Sequence, residues 1–91
     1  MADVIISMKV MPDSTEVNLE KVKDEADILI KEFGGELGKF EIQPVAFGLN
    51  QLILIFVMDE AKGSTDQLEE NVAKVNGVQS VDVTDVRRAI G

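Results

Sequence analysis

The side chains that do most enzymatic chemistry are missing from this chain: it has no His and no Cys, and no Trp or Tyr either. No imidazole is available as a general base near neutral pH, and no thiolate as a nucleophile or soft metal ligand. Carboxylates are plentiful, with 17 Asp and Glu against 9 Lys and Arg. They offer pairs for acid–base work or oxygen ligands for a hard cation. The best local group is Asp59-Glu60 with Asp66, but it lacks the alternating oxygen ligands and mid-loop Gly of an EF-hand. A solvated loop or helix start is the plain reading there, and Asp24, Glu25 and Asp27 read as a wet helix face. Gly34-Gly35 follows a helical pattern instead of opening one, which argues against a phosphate cradle. The inventory predicts a protein without a catalytic centre, a bound metal or a cofactor.

Three features are left that folding alone does not explain. In Pro44-Val45-Ala46-Phe47-Gly48, a large aromatic sits in a connection, with Pro before it and Gly after it. Such a Phe either tucks back into the core or stands out as an anchor for a partner's pocket. Asp85-Val86-Arg87-Arg88 places the chain's only two Arg side by side at the end of an acidic protein. They either pair with local carboxylates or present a cation to a phosphate or to a metal ion's place. Finally, Leu52 to Met58 is apolar on both faces, so with Ile5 the residues Ile53, Ile55 and Val57 cannot all point at one core. Either long neighbouring side chains shield them or they form a contact patch.

The net charge of −8 works against a phosphate backbone, so nucleic acid is not an expected partner. Only four Phe are present, too few aromatics for a base-stacking sheet. The opening MADVIISMKV has an acid where a secretory signal wants bases, and no apolar run approaches a membrane span. These features predict a soluble cytoplasmic protein. At 91 residues, a single domain over 1–91 is expected.

The elements that must position these residues follow from periodicity. Val4, Ile6, Met8 and Val10 alternate with Ile5, Ser7, Lys9 and Met11, which predicts a strand closed by Pro12. Leu19, Val22, Ala26, Leu29, Ile30 and Phe33 fall at helical spacing, with Asn18 as N-cap and Gly34-Gly35 as the stop. Phe40 and Ile42 alternate inward against Glu41 and Gln43 until Pro44, and Leu52 to Met58 reads as a central strand. Ser64 and Gln67 match a capping box that opens a second helix with Leu68, Val72 and Val75 inward, ended by Asn76-Gly77. Val81 and Val83 then alternate with Ser80, Asp82 and Thr84 in a last strand. The order β-α-β-β-α-β, with right-handed crossovers, predicts an α+β ferredoxin-like sandwich: a four-stranded antiparallel sheet with two helices on one face. Strands one and three should be central.

Gln43 to Leu49, Leu52 to Glu60, Ser64 to Glu70 and Gly77 to Arg88, together with the opening Asp3 to Ser14, resemble the elongation factor 1-beta family. The Pro-x-x-Phe-Gly connection combined with the acid-rich loop before helix two is the most specific part, and the length resembles the short archaeal form. The resemblance implies a guanine-nucleotide exchange factor acting on the GTPase elongation factor 1-alpha during translation. It implies that Phe47, framed by Pro44 and Gly48, inserts into a pocket of that GTPase. It also implies that a basic residue near the C-terminus reaches toward the magnesium and phosphate-loop region. The matching position is Arg88, with Arg87 beside it as the other candidate. Eukaryotic members carry Lys there; this chain has Arg, planar and less strongly hydrated, followed by Ala89-Ile90-Gly91. The protein is expected to act as a monomer. A different class also fits the fold: a small-molecule regulatory module that binds amino acids, for which the open sheet face would serve as a pairing surface.

Overall fold

The apolar faces of the first and third strands decide the architecture, because each strand presents at least one wholly apolar face that has to be covered. The computed structural model describes residues 3–88. Met1, Ala2 and the tail Ala89-Ile90-Gly91 lie outside the described residues. The elements are β1 (Asp3–Pro12), α1 (Leu19–Phe33), β2 (Glu36–Pro44), β3 (Asn50–Asp59), a one-turn 3₁₀ segment (Glu60–Lys62), α2 (Asp66–Ala73) and β4 (Val78–Arg88). The strands form one antiparallel sheet in the order β2-β3-β1-β4, with β1 and β3 central as their sequences require. Both helices pack on the same face, and the fold is the α+β ferredoxin-like sandwich.

The core lies between that face and the helices. Ile6, Met8 and Val10 of β1 and Leu52, Leu54, Phe56 and Met58 of β3 are buried against Val22, Ala26 and Ile30 of α1 and Leu68 and Val72 of α2. Burial of a Leu, Ile or Phe side chain contributes roughly 1.5–3 kcal/mol, and these two strands supply seven of the thirteen buried hydrophobic residues among those described. Asn18 caps α1 as expected: its Oδ1 accepts the backbone N–H of Glu20 at 3.0 Å and of Lys21 at 3.3 Å. At the other end Gly34 adopts φ +101° and donates its N–H to the carbonyls of Ile30 and Lys31. A side chain at Gly34 would also have to displace the flexible end of Lys62, whose Cε would lie 2.6 Å from its Cβ.

Three expectations need correction. The capping box does not form: Ser64 Oγ accepts the N–H of Asp66 at 3.0 Å, two residues on, and α2 begins at Asp66. Thr65 takes the N-cap position without a side-chain capping bond and donates its hydroxyl to Glu69 at 3.0 Å instead. The helix also ends at Ala73, before Asn76-Gly77. Phe40 and Ile42 do lie on the helix side of β2, opposite Leu54 and Leu52, yet they are 38% and 43% exposed. β2 is an edge strand, and α1 leaves its outer flank uncovered. The open face carries Ile5, Ile53, Ile55 and Val57, as their parity dictates, each half-buried among its neighbours.

Candidate functional site

Pro44 ends β2, and the hairpin to β3 closes over Val45–Leu49. The N–H of Val45 donates to the carbonyl of Leu49 at 2.8 Å, and the N–H of Leu49 donates to the carbonyl of Ala46 at 2.9 Å. Phe47 and Gly48 are therefore the two central residues of a tight turn. Both have positive φ, +54° and +79°. Hairpin turns of type I′ require this, and they favour Asn, Asp or Gly at the first central position. A Phe there meets a steric penalty of about 1–2 kcal/mol. Phe47 is the only non-glycine with positive φ among the described residues. Its side chain recovers nothing by packing, being 97% exposed. The backbone strain costs stability and the unburied ring contributes nothing to offset it, the kind of outlier found at binding sites. Gly48 holds the second position with space around it: a Cβ there would touch only Thr15, at 3.7 Å.

The two Arg stand elsewhere. β1 and β3 run in opposite directions, so the β2–β3 tip and the C-terminal end of β4 are at opposite ends of the sheet. With ten residues in β3, Phe47 and Arg88 are about 30 Å apart. Pro44, Phe47 and Gly48 thus form one group, and Arg87 and Arg88 another.

A bulge in β4 decides which way the two Arg point. Met8 pairs with Val83 but Ser7 pairs with Asp85, so Thr84 is the extra residue. Its hydroxyl donates to the carbonyl of Ser7 at 3.3 Å. Before the bulge Val81 and Val83 face the helices; after it Val86 and Arg88 do. Simple alternation from Val81 would have given Arg87 that face. Arg87 lies instead on the open face beside Ile5, its Nε 2.7 Å from Asp85. Arg88 reaches Glu60 of the 3₁₀ turn, Nη2 to Oε2 2.9 Å. Asp59 fixes that turn by accepting the N–H of Ala61 at 2.9 Å. Both Arg are well exposed, 77% and 70% of their side chains, so neither pair holds the fold together. Each presents a cation that can change partners.

The carboxylates do not converge: no cluster of three or more with metal-binding geometry occurs among the described residues. Beside the hairpin, Lys23 lies 4.9 Å above the Phe40 ring and 2.7 Å from Asp24. The hydrogen bond that Lys23 donates to Asp24, reinforced by the charges of Asp24, Asp27 and Glu20, holds the pKa of the Lys23 ammonium above its usual range. No helix among the described residues is long and apolar enough to cross a membrane.

The fold and site define a ferredoxin-like sandwich with an exposed aromatic tip at one end and two exposed Arg side chains at the other. Solved structures share the architecture. The ACT domain from the GTP pyrophosphokinase of Chlorobium tepidum superposes with a TM-score of 0.60 at 16% identity, covering 90% of this chain and 99% of that one. The C-terminal domain of the MgtC protein from Mycobacterium tuberculosis gives 0.63 at 13% identity, covering 97% and 88%. At such identities the likeness is one of fold alone, and it lends no support to amino-acid binding.

Sequence is more specific. Residues 5–89 match the family described as the EF-1 guanine nucleotide exchange domain. The chain is 44% identical over 88 residues to elongation factor 1-beta of Methanothermobacter thermautotrophicus, covering 97% of this chain and 98% of the relative. It is 43% identical over 90 residues to elongation factor 1-beta of Saccharolobus islandicus, covering 97% of each. The chain belongs to the elongation factor 1-beta family.

Proposed function

We propose that this protein is the exchange factor for the GTPase elongation factor 1-alpha, promoting GDP release so that GTP can reload, as a cytoplasmic monomer. Phe47 is the observation that carries the reading: a strained, 97% exposed aromatic at the tip of the β2–β3 hairpin adds no packing to the free fold. It matches the wedge position of the family, and Pro44 and Gly48 frame it.

Exchange needs no covalent step. A factor that binds the nucleotide-free GTPase more tightly than the loaded one must lower nucleotide affinity by the same ratio. A coupling of about 3 kcal/mol corresponds to roughly a hundredfold. Phe47 contributes by gaining burial only in the opened state of the partner. Arg88, exchanging Glu60 for the partner, weakens magnesium electrostatically where the metal's charge sits. Its distance of about 30 Å from Phe47 gives the two groups separate points of action. Arg87 is the alternative cation, on the other face of the strand. The −8 charge favours encounter with a basic surface.

Release of fluorescent GDP from elongation factor 1-alpha tests the reading. Acceleration by catalytic amounts of this protein supports it, and an unchanged rate rejects it.

A further inference from the structure

The tip is too small to make a specific complex by itself. One aromatic buries about 150–250 Å², whereas a stable interface takes about 800 Å² from each partner. The missing area has a candidate directly below Phe47. On the helix side of β2, Pro44 is exposed, Ile42 is 43% exposed and Phe40 is 38% exposed. Their register partners on β3, Asn50 aside, are fully buried. From Phe40 to the tip this apolar strip runs about 20 Å.

The surroundings of the strip say what fits it. Lys23 over the Phe40 ring is already held by Asp24, and Asp27 and Glu20 add to the negative field around it. Asp24 and Asp27 are each paired with a lysine, Lys23 and Lys31, so the net acidity of this border is the excess of five carboxylates over three lysines along α1. Two copies meeting here would bring these borders together in chains that each carry −8, which is unfavourable. The edge also resists strand addition, since Lys39 and Glu41 sit on its other face, Gly38 makes a bulge, and Pro44 has no N–H to donate.

We infer that the contact with the GTPase continues from Phe47 down the helix side of β2 through Pro44, Ile42 and Phe40. The receiving surface is then an apolar groove edged by Lys or Arg. This rests on the exchange reading above.

The test compares wild type, Phe47→Asn, Ile42→Ser and the pair Asp24→Lys with Asp27→Lys in GDP-release titrations on elongation factor 1-alpha. Thermal unfolding and sedimentation are measured alongside. Ile42→Ser should raise the half-maximal concentration about tenfold, more than it lowers the maximal rate. The charge-reversed pair should slow association and flatten its salt dependence. Should Ile42→Ser unfold, Ile42→Thr keeps the β-branch and should show the same direction. The inference is overturned if Ile42→Ser titrates within twofold of wild type while Phe47→Asn is impaired, which would confine the contact to the tip. It is overturned equally if the charge-reversed pair associates as fast as wild type, or if wild type is a dimer that Ile42→Ser dissociates. Failure of wild type itself to accelerate release would sink the exchange reading, and this inference with it.

Discussion

Phe47→Asn should make the protein more stable and less active at once. In the free protein, the wild-type ring is 97% exposed, so its removal sacrifices almost no packing. The backbone at φ +54° penalises Phe by about 1–2 kcal/mol. Asn tolerates that conformation, and Asn before Gly48 is the preferred pair for a type I′ turn. The expected gain is about 1 kcal/mol, and in a domain of this size that raises Tm by roughly 4–8 °C. Against the partner, the same change removes the burial of one aromatic, about 2–3 kcal/mol, which is a factor of roughly 30–150 in binding. Calorimetry or denaturant unfolding reads the first quantity, and titrated GDP release the second. The reasoning fails if stability falls, because the turn would then not be strained, or if the titration is unchanged, because the ring would then not be buried on binding.

Other consequences follow from the same geometry. Arg88→Ala should lower GDP release in magnesium far more than in EDTA, while Arg87→Ala should not; the reverse result would transfer the role to Arg87. Neither substitution should change unfolding free energy by more than about 0.5 kcal/mol, since both ion pairs are exposed. Asn18→Ala removes the acceptor for two backbone N–H groups and should cost about 1 kcal/mol in denaturant unfolding, with exchange intact. Raising ionic strength from about 0.05 to 0.5 M should slow association with the GTPase, as screening weakens attraction to a chain of charge −8. A salt-independent association rate would remove charge from the account.

Much of the fold is legible in the sequence because local and tertiary demands agree. β1 carries one wholly apolar face, Val4, Ile6, Met8 and Val10, and β3 is apolar on both faces, so these are the two strands that must lie centrally against the core. Asn18 and Gly34 bound α1 through side-chain and backbone chemistry that needs no tertiary help. α2 is less legible: Ser64 and Thr65 each have a nearby polar partner, and a local Ser64 bond to Asp66 wins over the reciprocal capping box. Phe40 and Ile42 satisfy an inward pattern, but periodicity reports the face of a strand and not whether a helix reaches far enough to cover it. The site was half legible. Pro44-Val45-Ala46-Phe47-Gly48 marks a turn, yet positive φ at Phe47 is a demand of the hairpin that no aromatic advertises. The faces of Arg87 and Arg88 were hidden by the bulge at Thr84, which reverses the parity that Val81 and Val83 establish. Their distance from Phe47 was not hidden: strand order alone places the β2–β3 tip opposite the end of β4.

The central claim is that this chain opens the nucleotide site of a GTPase by contact alone. Elongation factor 1-alpha loaded with fluorescent GDP, mixed in stopped flow with a small fraction of this protein and excess unlabelled nucleotide, tests it most directly. The account predicts multiple-turnover release accelerated by about a hundredfold. Release at the intrinsic rate, whatever the concentration of this protein, would contradict it.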